Sequence, residues 1–167
     1  MDIKAYTNDA VELLKELIAI PSVSRDETKA ADCLSEYLNQ WNLPHGREGN
    51  NLWIGCQDWD NNRPTVMLNA HIDTVKPVSS WTRYPFTPTQ EGDILYGLGA
   101  NDCGGGLVSL LQVYRMMLHR PRNYNILWVA SAEEEISGAN GFSRVLPHLP
   151  KVDVAIVGEP TGMQPAI

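Results

Sequence analysis

Three stretches of this chain are apolar almost without interruption: the start of 65–70 ("TVMLNA"), 125–130 ("NILWVA") and 152–157 ("VDVAIV"). Each has the length of a strand, and none alternates between an apolar and a polar face. That pattern belongs to strands buried on both sides. Segments with helical periodicity lie between them. Strands of this kind separated by helices predict an α/β domain with a mostly parallel central sheet covered on both faces.

The remaining elements fit that frame. Residues 8–19 read as a helix, capped by Asn8, with Val11, Leu14, Leu17 and Ile18 on one stripe and Pro21 as its stop. Residues 27–41 read as a second helix, with Ala30, Leu34, Tyr37, Leu38 and Trp41 on one side. Residues 51–56 and 94–96 read as strands, and 104–119 as a helix apolar on most faces and therefore buried. Residues 138–146 read as a short helix. The stretch 76–93, dense in Pro, Ser and Thr, reads as a long loop. There is no internal repeat and no linker that would split the chain.

Composition excludes several classes of function. A net charge of −7 argues against nucleic-acid binding, which requires a basic stripe. No apolar run approaches the ~20 residues of a membrane span. The N-terminus does not read as a signal peptide. Cys33, Cys56 and Cys103 form no CxxC pair, so reduced thiols in a cytoplasm are expected.

The informative polar residues sit where strands end. Strand 65–70 runs into His71 and Asp73, strand 125–130 into Glu133, Glu134 and Glu135, and strand 152–157 into Glu159. "GLGANDCGGG" places Asp102 just before the long buried helix. In an open α/β sheet, ligands bind beyond the carboxyl ends of the strands, so these groups should converge. Carboxylates crowded at a buried sheet end repel one another and are driven toward protonation unless a cation is present. One histidine with several carboxylates suits a divalent metal: zinc first, with cobalt or manganese as alternatives. In His71–Ile72–Asp73, the aspartate lies on the same side of an extended chain and can accept the second ring N–H of the histidine.

Each piece also has a bland reading. A lone His-x-Asp can be a core hydrogen bond, three glutamates a solvated helix turn, Asp102 an N-cap, and the glycines a packing device. Joint occurrence at strand ends favours the metal reading. His45, His119 and His148 lie in a polar loop or near helix ends and are weak candidates. Cys103 reads as a small packing residue. A dinucleotide loop is excluded because Asp102 occupies the third glycine position of GxGxxG.

"HIDTV" (71–75), "LYGLGANDCGGG" (95–106), "SAEEEISG" (131–138), "VGEPT" (157–161) and the segment "WTRYPF" (81–86) together resemble a known family. It is the metal-dependent hydrolase family of acetylornithine deacetylase, succinyl-diaminopimelate desuccinylase, aminoacylase and glutamate carboxypeptidase, and the N-acyl-ornithine deacetylases are most similar. The resemblance implies a zinc-exopeptidase-like three-layer α/β/α domain holding two divalent metal ions. It implies that His71 and Glu159 ligate one metal, that Asp102 bridges both, and that Glu135 ligates the second. Glu134 would be the general base acting on a bridging water, and Asp73 would orient His71. A cis peptide is implied at Asp102–Cys103. The implied substrate is a small N-acyl amino acid.

The sequence departs from the family at Leu98, where arginine is common, and at Cys103–Gly104, where Met-Lys is common. Neither is an implied ligand. Family members are also much longer. Residues 1–167 would therefore be the first part of the catalytic domain, lacking its remainder, a final histidine ligand, and a lid domain through which a homodimer forms. On that expectation the chain alone is inactive and holds at most one metal well. Rival readings are a di-metal aminopeptidase or dipeptidase, and an inactive binding module on the same fold.

Overall fold

The structure, a computed structural model, describes residues 2–166. Helices α1 (Ile3–Ile18) and α2 (Thr28–Gln40) come first. They are followed by strands β1 (Gly46–Glu48), β2 (Asn51–Gly55) and β3 (Thr65–His71). A ribbon of β4 (Thr89–Glu91) and β5 (Ile94–Tyr96) leads to helix α3 (Gly106–Leu118). Strand β6 (Asn125–Ser131), helix α4 (Phe142–Val145) and strand β7 (Val154–Val157) complete the order.

Five strands form one sheet in the order β1-β2-β6-β3-β7. β3 runs parallel to β6 on one side and to β7 on the other. β2 is antiparallel to both β6 and β1, so it alone runs against the other four. The mostly parallel α/β sheet expected from the apolar runs is therefore present. β3, β6 and β7 point their carboxyl ends to the same edge, and that shared direction gathers the site.

Alternate residues of the central strands enter two different cores, which is why they show no polar face. Leu68, Ala70, Ile126, Trp128 and Ala130 pack under α1, α2 and α3. Met67, Leu127 and Val129 pack on the opposite face against Val145, with Phe142 and Leu149 beside them. Coverage is unequal: three helices lie on the first face, one short helix on the second. β7 pairs only with β3, and its Val154, Ile156 and Val157 are 54%, 49% and 54% exposed.

Several boundaries differ from expectation. α1 begins at Ile3, not at Asn8, because the Asp2 carboxylate accepts the Lys4 N–H at 3.0 Å and caps the helix earlier. The added turn is largely exposed, so it carries no apolar stripe to reveal it. The expected helix 104–119 starts only at Gly106. Residues Ala100–Gly105 form a wider turn in which Asp102 and Cys103 leave helical geometry. The expected helix 138–146 shrinks to Phe142–Val145 followed by a single tight turn, because Gly138, Gly141 and Pro147 leave no room for more. β1 and β4, three residues each, were too short for their pattern to be read. Among the described residues no helix is long and apolar enough to cross a membrane.

The glycines after Asp102 permit a close approach. A Cβ on Gly106 would sit 3.1 Å from both the Gly158 carbonyl oxygen and the Cys103 Sγ. The start of α3 thereby lies directly against the chain leaving β7 and brings Asp102 and Glu159 to one end of the sheet.

Candidate metal centre

His71 is the last residue of β3 and is 2% exposed. Its Nδ1 donates to the Asp73 carbonyl oxygen at 2.8 Å. That bond fixes the ring and directs Nε2 into the site, 3.1 Å from Asp102 Oδ1 and 3.9 Å from Glu134 Oε2. Burial alone would lower the imidazole pKa, but the Asp73 and Asp102 carboxylates outweigh it and raise it to about 9. Without a metal, Nε2 therefore carries a proton. A cation would replace that proton at the same place.

Asp73 is 1% exposed, and its role is broader than orienting His71. The main-chain carbonyl makes the short bond to the ring, while the carboxylate lies 3.4 Å from Nδ1. That carboxylate accepts the Ser24 hydroxyl at 2.7 Å, the Glu134 N–H at 3.0 Å and the Glu135 N–H at 3.2 Å. Burial pushes its pKa up, but the donors of His71, Ser24 and Glu134 prevail and hold it below the usual carboxylate range. One buried carboxylate thus links β3 to the turn after β6.

Glu134 and Glu135 stand on that short turn. Asp102 follows the left-handed Gly99 and is joined to Cys103 by a cis peptide. Glu159 follows β7. Ligand atoms of His71, Asp102 and Glu135 lie within 4.8 Å of one another. So do those of His71, Cys103 and Glu159. Every residue singled out at the strand ends reaches this edge, with one exception. The Glu133 carboxylate turns away to accept from the Asn140 N–H and Nδ2.

Glu135 shares a cluster with both His71 and Asp102, and Glu159 stands with His71 and Cys103. Cys103, read from sequence as a packing residue, is buried and its Sγ donates to the Gly158 carbonyl. Burial, and then the nearby Glu159 charge, pushes its thiol up to about 12. Ser24 went unnoticed in the sequence, because a serine in a polar loop carries no local mark of a partner 49 residues away. The other histidines stay outside the centre: His45 bonds to Ser35 and Leu43, and His148 stacks on Trp53.

The donor set fits a divalent cation on physical grounds. Burial raises the pKa of Glu135, and the neighbouring Asp102 charge raises it further against the opposing pull of His71. Glu159 is raised in the same way, by burial and by Glu134 and Asp102. Carboxylates that hold protons too tightly because they crowd one another are relieved by a bound cation.

The sequence model of peptidase family M20/M25/M40 matches residues 67–167, more than half of the chain. The chain belongs to that family. It is 28% identical to succinyl-diaminopimelate desuccinylase of Blochmanniella floridana over 92% of this chain and 44% of that protein. It is 32% identical to acetylornithine deacetylase of Buchnera aphidicola subsp. Acyrthosiphon pisum, over 92% and 43%. The fold matches a dinuclear metal-binding M20 peptidase of Bacillus subtilis with a TM-score of 0.70 at 18% identity, covering 92% of this chain and 43% of that one. This M20 chain spans less than half the length of the curated relatives it matches.

Proposed function

We propose that this M20 chain is the metal-bearing N-terminal part of a di-metal hydrolase that removes the acyl group from small N-acyl amino acids of the N-acetyl- or N-succinyl-ornithine type. The observation that carries the reading is the place of Glu134. Its carboxylate lies 3.9 Å from His71 Nε2 yet belongs to neither cluster of clustered donor atoms. A carboxylate that stands beside a metal centre without ligating it can move protons there.

His71, Asp102, Glu135 and Glu159 would hold the two cations, zinc first among them. When bound, such a pair lowers the pKa of a shared water and polarises the scissile carbonyl. Glu134 accepts the proton of the attacking water on its exposed carboxylate and returns it to the leaving amine. Asp73 keeps the glutamates in register by accepting their N–H groups on its carboxylate, and His71 by accepting the ring N–H on its main-chain carbonyl. Ser24 holds the Asp73 carboxylate in turn. The names of the desuccinylase and deacetylase relatives support the acyl amino acid as substrate class. The length of those relatives supports a further ligand and the substrate-carboxylate contacts lying outside residues 1–167.

The test pairs cobalt(II) titration with hydrolysis of N-acetyl-ornithine and N-succinyl-diaminopimelate, using this chain alone and joined to the rest of its protein. Glu134→Ala should keep its cobalt and lose turnover. Loss of cobalt by that variant would make Glu134 a ligand and defeat the assignment of the base.

A further inference from the structure

Four consecutive backbone amides lead along the turn that carries Glu134 and Glu135, and each donates to a side chain from a distant segment. Ala132 N–H donates to Asn51 Oδ1 at 2.9 Å, and Glu133 N–H to Glu27 Oε1 at 3.2 Å. The next two go to Asp73 at 3.0 and 3.2 Å. The turn makes almost no regular structure of its own, so these side chains set its course.

Glu27 has no part in the chemistry described above, yet it is fully buried at the start of α2. Burying a carboxylate is costly unless its oxygens are satisfied. Here Oε1 accepts from the Arg25 N–H at 2.8 Å as well as from Glu133, and Oε2 accepts from Asn50 Nδ2 at 2.9 Å. Arg25 and Glu133, whose amides it holds, have φ of 78° and 51°. Residues other than glycine stay in that left-handed region only where their surroundings enforce it. A single carboxylate therefore braces two unfavourable backbone positions, one of them immediately before Glu134. The network closes on itself: Glu133 accepts from Asn140, and the Asn140 carbonyl accepts from Asn51 Nδ2 at 2.7 Å.

We propose that Glu27 is a positioning residue of the metal centre, a buried brace beneath the Glu133–Glu135 turn that fixes where Glu134 and Glu135 stand. Its importance to metal binding rests on the assignment of Glu135 as a ligand; its bracing of the turn does not.

Amide hydrogen exchange of the metal-free chain, read residue by residue by NMR, tests the brace directly. In Glu27→Ala the amides of Glu133, Glu134 and Glu135 should exchange about 10- to 100-fold faster, as expected for loss of a hydrogen bond to a charged group. Met67–Ala70 in β3 should keep their wild-type rates. Glu27→Gln, which retains one oxygen for the Glu133 N–H, should recover most of the protection. Cobalt(II) affinity should fall about 10- to 100-fold in Glu27→Ala and recover in Glu27→Gln. Unchanged exchange at the three amides, or equal acceleration throughout the sheet, would overturn the proposal. Should Glu27→Ala not fold, Asn50→Ala removes one support of the same carboxylate from a partly exposed position. It should accelerate the same three amides, and no change there would equally overturn the brace. Failure of the wild-type chain to bind cobalt would defeat the metal reading, and amide exchange would still decide the brace.

Discussion

Replacing Asp73 by asparagine removes one charge and turns one acceptor oxygen into a donor, with hardly any change of shape. The carboxylate serves three donors, from Ser24, Glu134 and Glu135. The Ser24 hydroxyl can rotate to accept from the new NH2 group, but a backbone N–H cannot. Whichever way the amide turns, the NH2 faces either the Glu134 N–H or the Glu135 N–H, and one donor is left buried without a partner. That costs about 1–3 kcal/mol. For a domain of this size it corresponds to a fall in Tm of roughly 2–12 °C. The freed turn should also lower metal affinity about 10- to 100-fold, the usual effect of losing a group that orients ligands. Urea unfolding of the metal-free protein measures the first effect and cobalt(II) titration the second. Wild-type stability with wild-type cobalt affinity would refute the reasoning altogether. Lost stability with unchanged affinity would show that Asp73 supports the fold without aligning the glutamates.

Asp102→Ala should cost the chain its tight cobalt binding, because Asp102 stands in a cluster with His71 and Glu135; wild-type cobalt affinity in that variant would exclude Asp102 as a ligand. The metal-free protein should lose stability as pH rises. A histidine whose folded pKa is raised to about 9 contributes stability that is complete below about 6.5 and is lost as pH passes through 9. Unfolding free energies from pH 6 to 10, compared with those of His71→Gln, should show that slope only in the wild type. Cobalt affinity should rise over the same interval as the competing proton leaves. Cys103, with its thiol raised to about 12, and Cys33, raised to about 11 by burial and then by the nearby Glu16 and Glu36, should resist iodoacetamide at pH 8 in the native chain. Prompt alkylation of either, located by mass spectrometry, would contradict the packing described for it.

The sequence by itself determined the layers and the edge at which the chemistry gathers. Apolar runs such as "NILWVA" can be buried only between two faces, and parallel strands so connected must end on the same side. His71, Asp102, Glu134, Glu135 and Glu159 were readable because each directly follows a strand or precedes a helix, so local pattern alone fixes its end of the sheet. What the pattern could not determine is how the turn after β6 is held. Glu133, Glu134 and Glu135 are one repeated residue in the sequence. Their local pattern is the same, and the tertiary structure sends the first toward Asn140 and the other two toward His71. The supports for that turn, Glu27, Asn51 and Asp73, come from 61 to 106 residues before the amides they hold, and Ser24 acts through Asp73. Isolated polar side chains in loops, at a helix start or at a strand end have no period and no composition to betray such partners. Their contacts arise when packing of the apolar core brings distant backbone amides within hydrogen-bond reach, a consequence of the whole fold and not of any local stretch.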